Sequence, residues 1–180
     1  ELVGRGVEVL RSWGARVEFA DPELEKAIRA KIGKPWRPVY ESDLQDLREL
    51  RASGRGIRDL SGLERCTNLT ELDLSDNEIE DISALESLTN LTSLNLSHNL
   101  IQDISPLQSL SSLQHGVLNL SYNRITDISP LLALPHLEAL NLTGNPLDRR
   151  SVEEILPELE QKVDVLSFEA GIVEGRVELW

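Results

Sequence analysis

His98, His115, His136 and Cys66 are the side chains of this sequence best suited to chemistry near neutral pH. A histidine can serve as general base or metal ligand, and a cysteine as nucleophile. Their surroundings argue against both roles. No nucleophile stands with a base at matching spacing, no glycine loop opens a helix after a strand, and no metal-ligand motif is present. A single cysteine also excludes an internal disulfide and a cysteine-built metal cage. The chain is therefore expected to have no catalytic residue, no cofactor and no metal, and to act by binding.

Charge narrows the partner. The net charge is -13, unevenly spread. Residues 1–58 carry a slight basic excess, whereas residues 60–145 hold eleven acids against two bases, Arg65 and Arg124. Such a body repels phosphate backbones, so nucleic acid is not expected as a partner. There is no apolar run long enough to span a bilayer and no signal peptide. The chain begins at Glu1, which reads as a fragment or a processed form. Its 180 residues suit one domain.

The elements that would position any site follow from self-similarity. Aligning Asn77, Asn99, Asn123 and Asn145 brings other columns into line. One runs Leu50, Leu72, Leu94, Leu118, Leu140, and another Ala52, Leu74, Leu96, Leu120, Leu142. Isoleucines at 57, 79, 101 and 125 form a third. Cys66 falls in a leucine column with Leu88 and Leu110, and so reads as core. The period is 22 residues, except that the third asparagine comes 24 after the second. In "LTELDL" apolar and polar residues alternate, as in a short strand with one face buried. Stacked copies would pair as a parallel sheet over a continuous leucine core. The asparagines would satisfy backbone groups at the bend as a ladder of buried amides. The "DIS" triplets at 81, 103 and 127, two of them followed by proline, predict a tight return limb of about one 3-10 turn.

The pattern L-x-x-L-x-L-x-x-N-x-I-x-D-I-S-x-L resembles the leucine-rich-repeat family. The 22-residue period and the "DIS-P-L" limb resemble its bacterial, internalin-like subclass. The resemblance implies an α/β fold, a right-handed solenoid with a concave parallel β-sheet and a convex side of short 3-10 turns. It also implies binding, usually of proteins, without catalysis, and favours an extracellular or cell-surface location.

Three regions are expected. Residues 1–46 form a strand and helical N-terminal cap, 47–147 the repeats (one degenerate plus four, the last partial), and 148–180 a C-terminal helix-strand cap and tail strand. In the first cap "DPELEKAIRAKIG" predicts a helix begun by Asp21 and Pro22, ended by Gly33, with Leu24, Ala27, Ile28 and Ile32 inward. "SDLQDL" offers a second helix with a capping box at Ser42. In the last cap "SVEEILPELEQ" predicts a helix capped at Ser151 and split at Pro157, and "VDVLSF" a strand against the last rung. The outermost stretches read as strands, the first as a hairpin around Trp13–Gly14.

The concave face carries the candidate protein-binding residues: Arg51, Glu71, Asp73, Asp76, Asn95, His98, His115, Val117, Asn119 and Tyr122. Serines at 53, 75, 97 and 121 should share it. Only Tyr122 and Arg51 are of the types that dominate tight interfaces. Between Leu113 and Leu118 the chain is two residues too long, and His115 and Gly116 read as the extras. Glycine there permits a bulge or a positive φ. The extras are either a tolerated loop insertion or a binding knob beside Tyr122 and His98. The expected partner is a protein, bound through the concave face or the caps. The alternative function is a structural spacer or self-assembling surface element in a larger chain, with the basic cap of one copy meeting the acidic body of the next.

Overall fold

The computed structural model describes residues 14–114 and 116–168. The chain opens with β1 (Arg16–Val17), α1 (Pro22–Ile32), β2 (Val39–Tyr40) and α2 (Glu41–Leu44). The repeats then supply β3 (Glu49–Arg51), β4 (Glu71–Asp73), β5 (Ser93–Asn95), β6 (Val117–Asn119) and β7 (Leu137–Asn141). A π-helical turn (Ser151–Ile155) runs into α3 (Leu156–Leu159), and β8 (Val163–Ser167) follows. Strands β3 to β8 pair in chain order as one parallel sheet of six. The right-handed leucine-rich-repeat solenoid is thus the fold.

Register puts like residues side by side. Leu50, Leu72, Leu94, Leu118 and Leu140 are Cα partners rung by rung, and all are buried. Parallel pairing needs a crossover that returns the chain to the same end of the sheet. Here 3-10 turns do so at Ser83–Ser87, Ser105–Ser109 and Ser129–Ala133. The "DIS" triplets start them. Asp81, Asp103 and Asp127 each accept, through Oδ1, the backbone N–H of the serine two residues on, at 2.8 Å. Cys66 is fully buried among the core leucines, and burial, with Glu64 nearby, pushes its thiol up to about 12.

The asparagines tie the rungs together. Asn99 Nδ2 donates to Leu74 O in the preceding rung (3.0 Å) and to Leu96 O in its own (3.1 Å), while Oδ1 accepts from Ile79 N (3.0 Å). Asn77, Asn123 and Asn145 repeat the pattern with their own neighbours.

Both ends are closed by side chains that imitate this ladder. At the N-terminus, Asp21 Oδ1 caps α1 by accepting from Glu23 N and Leu24 N. Its Oδ2 accepts from Arg58 N in the degenerate repeat. At the C-terminus, Ser151 is fully buried, donates to Thr126 O and accepts from Ile128 N. Ser151 therefore plugs the last turn rather than capping its own helix. The cap is Asp148, whose Oδ1 accepts from Ser151 N. Proline 157 has no N–H for the carbonyl four residues back, and the helix widens to a π turn just before it.

One other expectation is corrected. The second helix of the N-terminal cap starts at Glu41, not Ser42. Asp43 closes it by accepting from Tyr40 N. The hairpin expected around Trp13–Gly14 and the tail strand after Phe168 fall outside the described residues. Within them, Arg16–Val17 pairs antiparallel with Val39–Tyr40.

Removing a ladder amide leaves buried backbone groups unpaired. Asn99→Ala should lower unfolding free energy by about 1–3 kcal/mol in urea titrations. Asn95 faces outward and only organises its own turn, accepting from Ser97 N and Ser97 Oγ. Asn95→Ala should cost under about 1 kcal/mol. Equal costs would contradict the ladder.

Asp21 adds a pH dependence. Burial alone would raise its pKa, but the N–H groups of Arg58, Glu23, Leu24 and Asp59 hold it below its ordinary value of 3.8. The folded value lies below the unfolded one. Its stabilisation is therefore complete above the ordinary value and lost as pH falls through the folded value. Asp21→Asn should destabilise by about 1–3 kcal/mol at pH ~7, and the difference from wild type should vanish in unfolding curves toward pH ~2. A difference that persists in acid would refute the assignment.

Candidate protein-binding face

Because side chains alternate along each strand, the outward residues are the first and third of β3 to β6 and, in register with them, the third and fifth of the longer β7 and β8. The first positions run Glu49, Glu71, Ser93, Val117, Ala139, Val165. The third run Arg51, Asp73, Asn95, Asn119, Asn141, Ser167. Val117 and Val165 are 42% and 56% exposed, large for aliphatic side chains on a sheet. Arg51 pairs with Glu49 at 2.6 Å, and Lys31 reaches the same carboxylate at 3.1 Å. Lys31 and Arg51 thereby hold the Glu49 carboxyl below its usual range. Among the described residues, no cation pairs with Glu71, Asp73 or Asp76.

Of the serine column only Ser53, at its N-terminal end, is exposed. Ser75, Ser97 and Ser121 are buried. Each donates its hydroxyl to the side chain two residues earlier, Asp73, Asn95 or Asn119. The chain is already bending inward at these serines toward the asparagine.

That bend shapes the rim of the face. The residue before each asparagine has a positive φ: Asp76 (56°), His98 (55°), Tyr122 (54°) and Gly144 (73°), with Gly54 (66°) in the same column. Aspartate and histidine tolerate this region, whereas tyrosine is uncommon there and carries backbone strain. The two rings stack, centroids 4.4 Å apart and 14° from parallel. On its other side the Tyr122 ring covers Gly144, where an added Cβ would lie 2.6 Å from Tyr122 Cδ1. Tyr122 is thus held between His98 and Gly144 while half of it stays exposed.

The insertion has a different address from the one expected. Thr70, Thr92 and Glu138 occupy the position before the strand, and in the third full repeat Gly116 does. Glu138 N and Ala139 N both donate to Gly116 O, as Thr92 N and Ser93 N do to Thr70 O. The extra residues are therefore Gln114 and His115, not His115 and Gly116. Gly116 has no positive φ. It is glycine because its Cβ would lie 2.1 Å from Thr92 O. Its N–H turns back to Leu113 O at 2.8 Å. His115 itself lies outside the described residues. Gln114 and Gly116 flank it at the start of β6, next to Val117.

Arg51, Glu71, Asp73, Asp76, Asn95, His98, Val117, Asn119 and Tyr122 share one face and its rim. His136 is elsewhere, exposed with Nε2 2.8 Å from Asp164 on β8. Sequence reading missed Gly144 as the seat of Tyr122, and Val165 as the end of the outward column that runs through Val117 and Ala139. The glycines at 54 and 144 are the signal that the whole rim column is left-handed.

Deleting Gln114 and His115 should restore the regular period and keep Gly116 beside Thr92. Thermal unfolding should be unchanged or slightly raised, since a shorter loop has less entropy to lose. Gly116→Ala, which forces a Cβ against a carbonyl, should cost about 1–3 kcal/mol. The reverse ranking in melting curves would show that the extra pair is packed structure.

Descriptions of leucine-rich repeats match residues 45–87, 87–104 and 117–155. No curated protein sequence matches the chain significantly. Among solved structures, an internalin (inlF) from Listeria monocytogenes is 26% identical with a TM-score of 0.65, covering 86% of this chain and 58% of its own. Internalin C2 from the same organism is 30% identical with a TM-score of 0.59, over 86% of this chain and 78% of its own. The chain thus spans less than two thirds of the first of these relatives. The asparagine ladder, the "DIS" return limb and these likenesses agree: the chain belongs to the bacterial, internalin-like leucine-rich-repeat proteins.

Proposed function

We propose that this chain is a non-catalytic protein-interaction module that takes its partner on the concave sheet, with Tyr122 as anchor. Leucine-rich-repeat modules of this class generally bind proteins and carry no catalytic centre. The observation that supports the concave face most is the seating of Tyr122, half exposed and fixed between His98 and Gly144. A ring held in place before docking loses little side-chain freedom on binding. Tyrosine is also a residue type that dominates interface energies. Val117 extends the apolar contact inward from the rim, with Asn95 and Asn119 supplying amides between them. Arg51 contributes less, because Glu49 already holds it. A bacterial cell-surface location is part of the proposal, supported by the likeness to internalins.

Self-assembly from basic cap to acidic body finds less support. Lys26, Arg29, Lys31 and Lys34 of the cap are each paired with an acid of their own chain, Glu23, Glu25, Glu49 and Asp43. Among the described residues of the cap, few cations are left to meet a second copy.

A library of random twelve-residue peptides displayed on phage, panned on the full chain, tests the reading. Winning peptides should lose about tenfold or more in affinity to Tyr122→Ala and to Val117→Asp, equivalent to about 1.4 kcal/mol. They should bind a convex-side control, Glu86→Lys, as they bind wild type. Binding that ignores Tyr122 and Val117 would move the site off the concave face.

A further inference from the structure

The outward columns change chemistry along the solenoid axis. The first positions pass from acid (Glu49, Glu71) through Ser93 to apolar (Val117, Ala139, Val165). The third positions pass from charge to amides, and the rim from Asp76 to His98 and Tyr122. We infer that this face selects a partner segment that is basic at one end and apolar at the other. It lies across the strands with its basic end over β4 and its apolar end over β6 and β7. The inference rests on the concave-face reading above and adds the chemistry and direction of the partner.

Three observations carry it. First, the acids over β4 lack compensation. Glu49 is neutralised by Lys31 and Arg51, but no described cation pairs with Glu71, Asp73 or Asp76. A cationic segment supplies the missing complement.

Second, the charge on Asp73 is surplus to the fold. Asp73 Oδ1 accepts from Ser75 N and Ser75 Oγ at 3.0 and 2.7 Å. In the next two rungs Asn95 and Asn119 make the same two bonds to Ser97 and Ser121, at 3.1 and 2.8 Å. A neutral amide does the structural task equally well, so the carboxylate at position 73 calls for another role.

Third, Val117 and Val165 expose apolar surface that no described residue covers, with Ala139 bridging them across β7. Neighbouring strands lie about 4.8 Å apart, so β4 is roughly 10–14 Å from β6 and β7. An extended segment covers that distance in about three to four residues. The required ligand is then a lysine or arginine with a leucine-like side chain three or four residues away.

The probes are fluorescent twelve-residue peptides with two lysines followed, three to four residues on, by two leucines. The comparison peptides carry glutamate for lysine. Fluorescence anisotropy with the full chain should show the lysine peptides binding at least tenfold tighter than the glutamate ones. The gap should collapse at high salt and in Glu71→Gln/Asp73→Asn, a variant that keeps the turn bonds and should melt like wild type. Glu71→Gln alone should narrow it in part. No measurable binding of the lysine peptides, or a gap that survives in the double variant, overturns the inference. If the gap survives while Val117→Asp and Tyr122→Ala weaken both peptides, the charge selection fails and the concave-face reading stands. If those two variants leave binding untouched, the concave-face reading fails with it.

Discussion

Everything in this molecule hangs on the buried amide at positions 77, 99, 123 and 145. A strand of three residues exits the sheet and must reverse inside the core, where its carbonyls meet no water. Such groups are costly to leave unpaired. One asparagine satisfies carbonyls in two successive rungs with its NH2 and takes a backbone N–H with its oxygen. Aspartate could not donate, and glutamine would overreach by a methylene. Because each amide spans two rungs, it also fixes their spacing, and the leucine columns then pack in register. The capping residues follow the same logic. At the two ends Asp21 and Ser151 likewise satisfy, with buried side chains, backbone groups of the adjoining repeat.

The same constraint creates the rim. To aim the asparagine inward, the residue before it adopts a left-handed backbone in every rung from Gly54 to Gly144. That conformation costs a bulky residue on the order of 1–3 kcal/mol, and glycine or aspartate would relieve it. His98 and Tyr122 nevertheless stand there, stacked on each other, and Gly144 leaves the space that the tyrosine fills. The fold asks for neither aromatic. Tyr122 stands there against local preference, and strain kept at a position with no folding need accords with the binding role proposed for it.

Much of this was legible in the sequence, for identifiable reasons. A strict period exposes every core column at once, so Leu94, Ile101 and Asn99 could be placed before any coordinates. The capping of α1 was equally plain, since Asp21, Pro22 and Gly33 each have one strong positional meaning. What escaped were choices between neighbours. Ser42 and Ser151 fit a capping box by spacing, but tertiary bonds to Ala15 and Thr126 decided where the helices begin and what the serine does. The extra residues at Gln114 and His115 could not be told from Gly116, because only the approach of Thr92 O makes glycine obligatory there. The inward turn of Ser97 broke the simple alternation. Strand parity ends one residue before the bend, which a pattern of period two does not register.

This separation between what the fold requires and what it leaves open is the key to function in a repeat protein. Interior columns are nearly invariant down the chain: leucine, leucine, asparagine, isoleucine. The outward columns are not, although each rung offers the same backbone. Asp73, Asn95 and Asn119 hold identical turns with different charge. Glu71, Ser93 and Val117 occupy identical positions on adjacent strands with different polarity. Where geometry is constant and chemistry varies, packing cannot explain the variation. The direction in which it varies, from carboxylate to aliphatic and aromatic, is the gradient on which the proposed orientation of a partner rests.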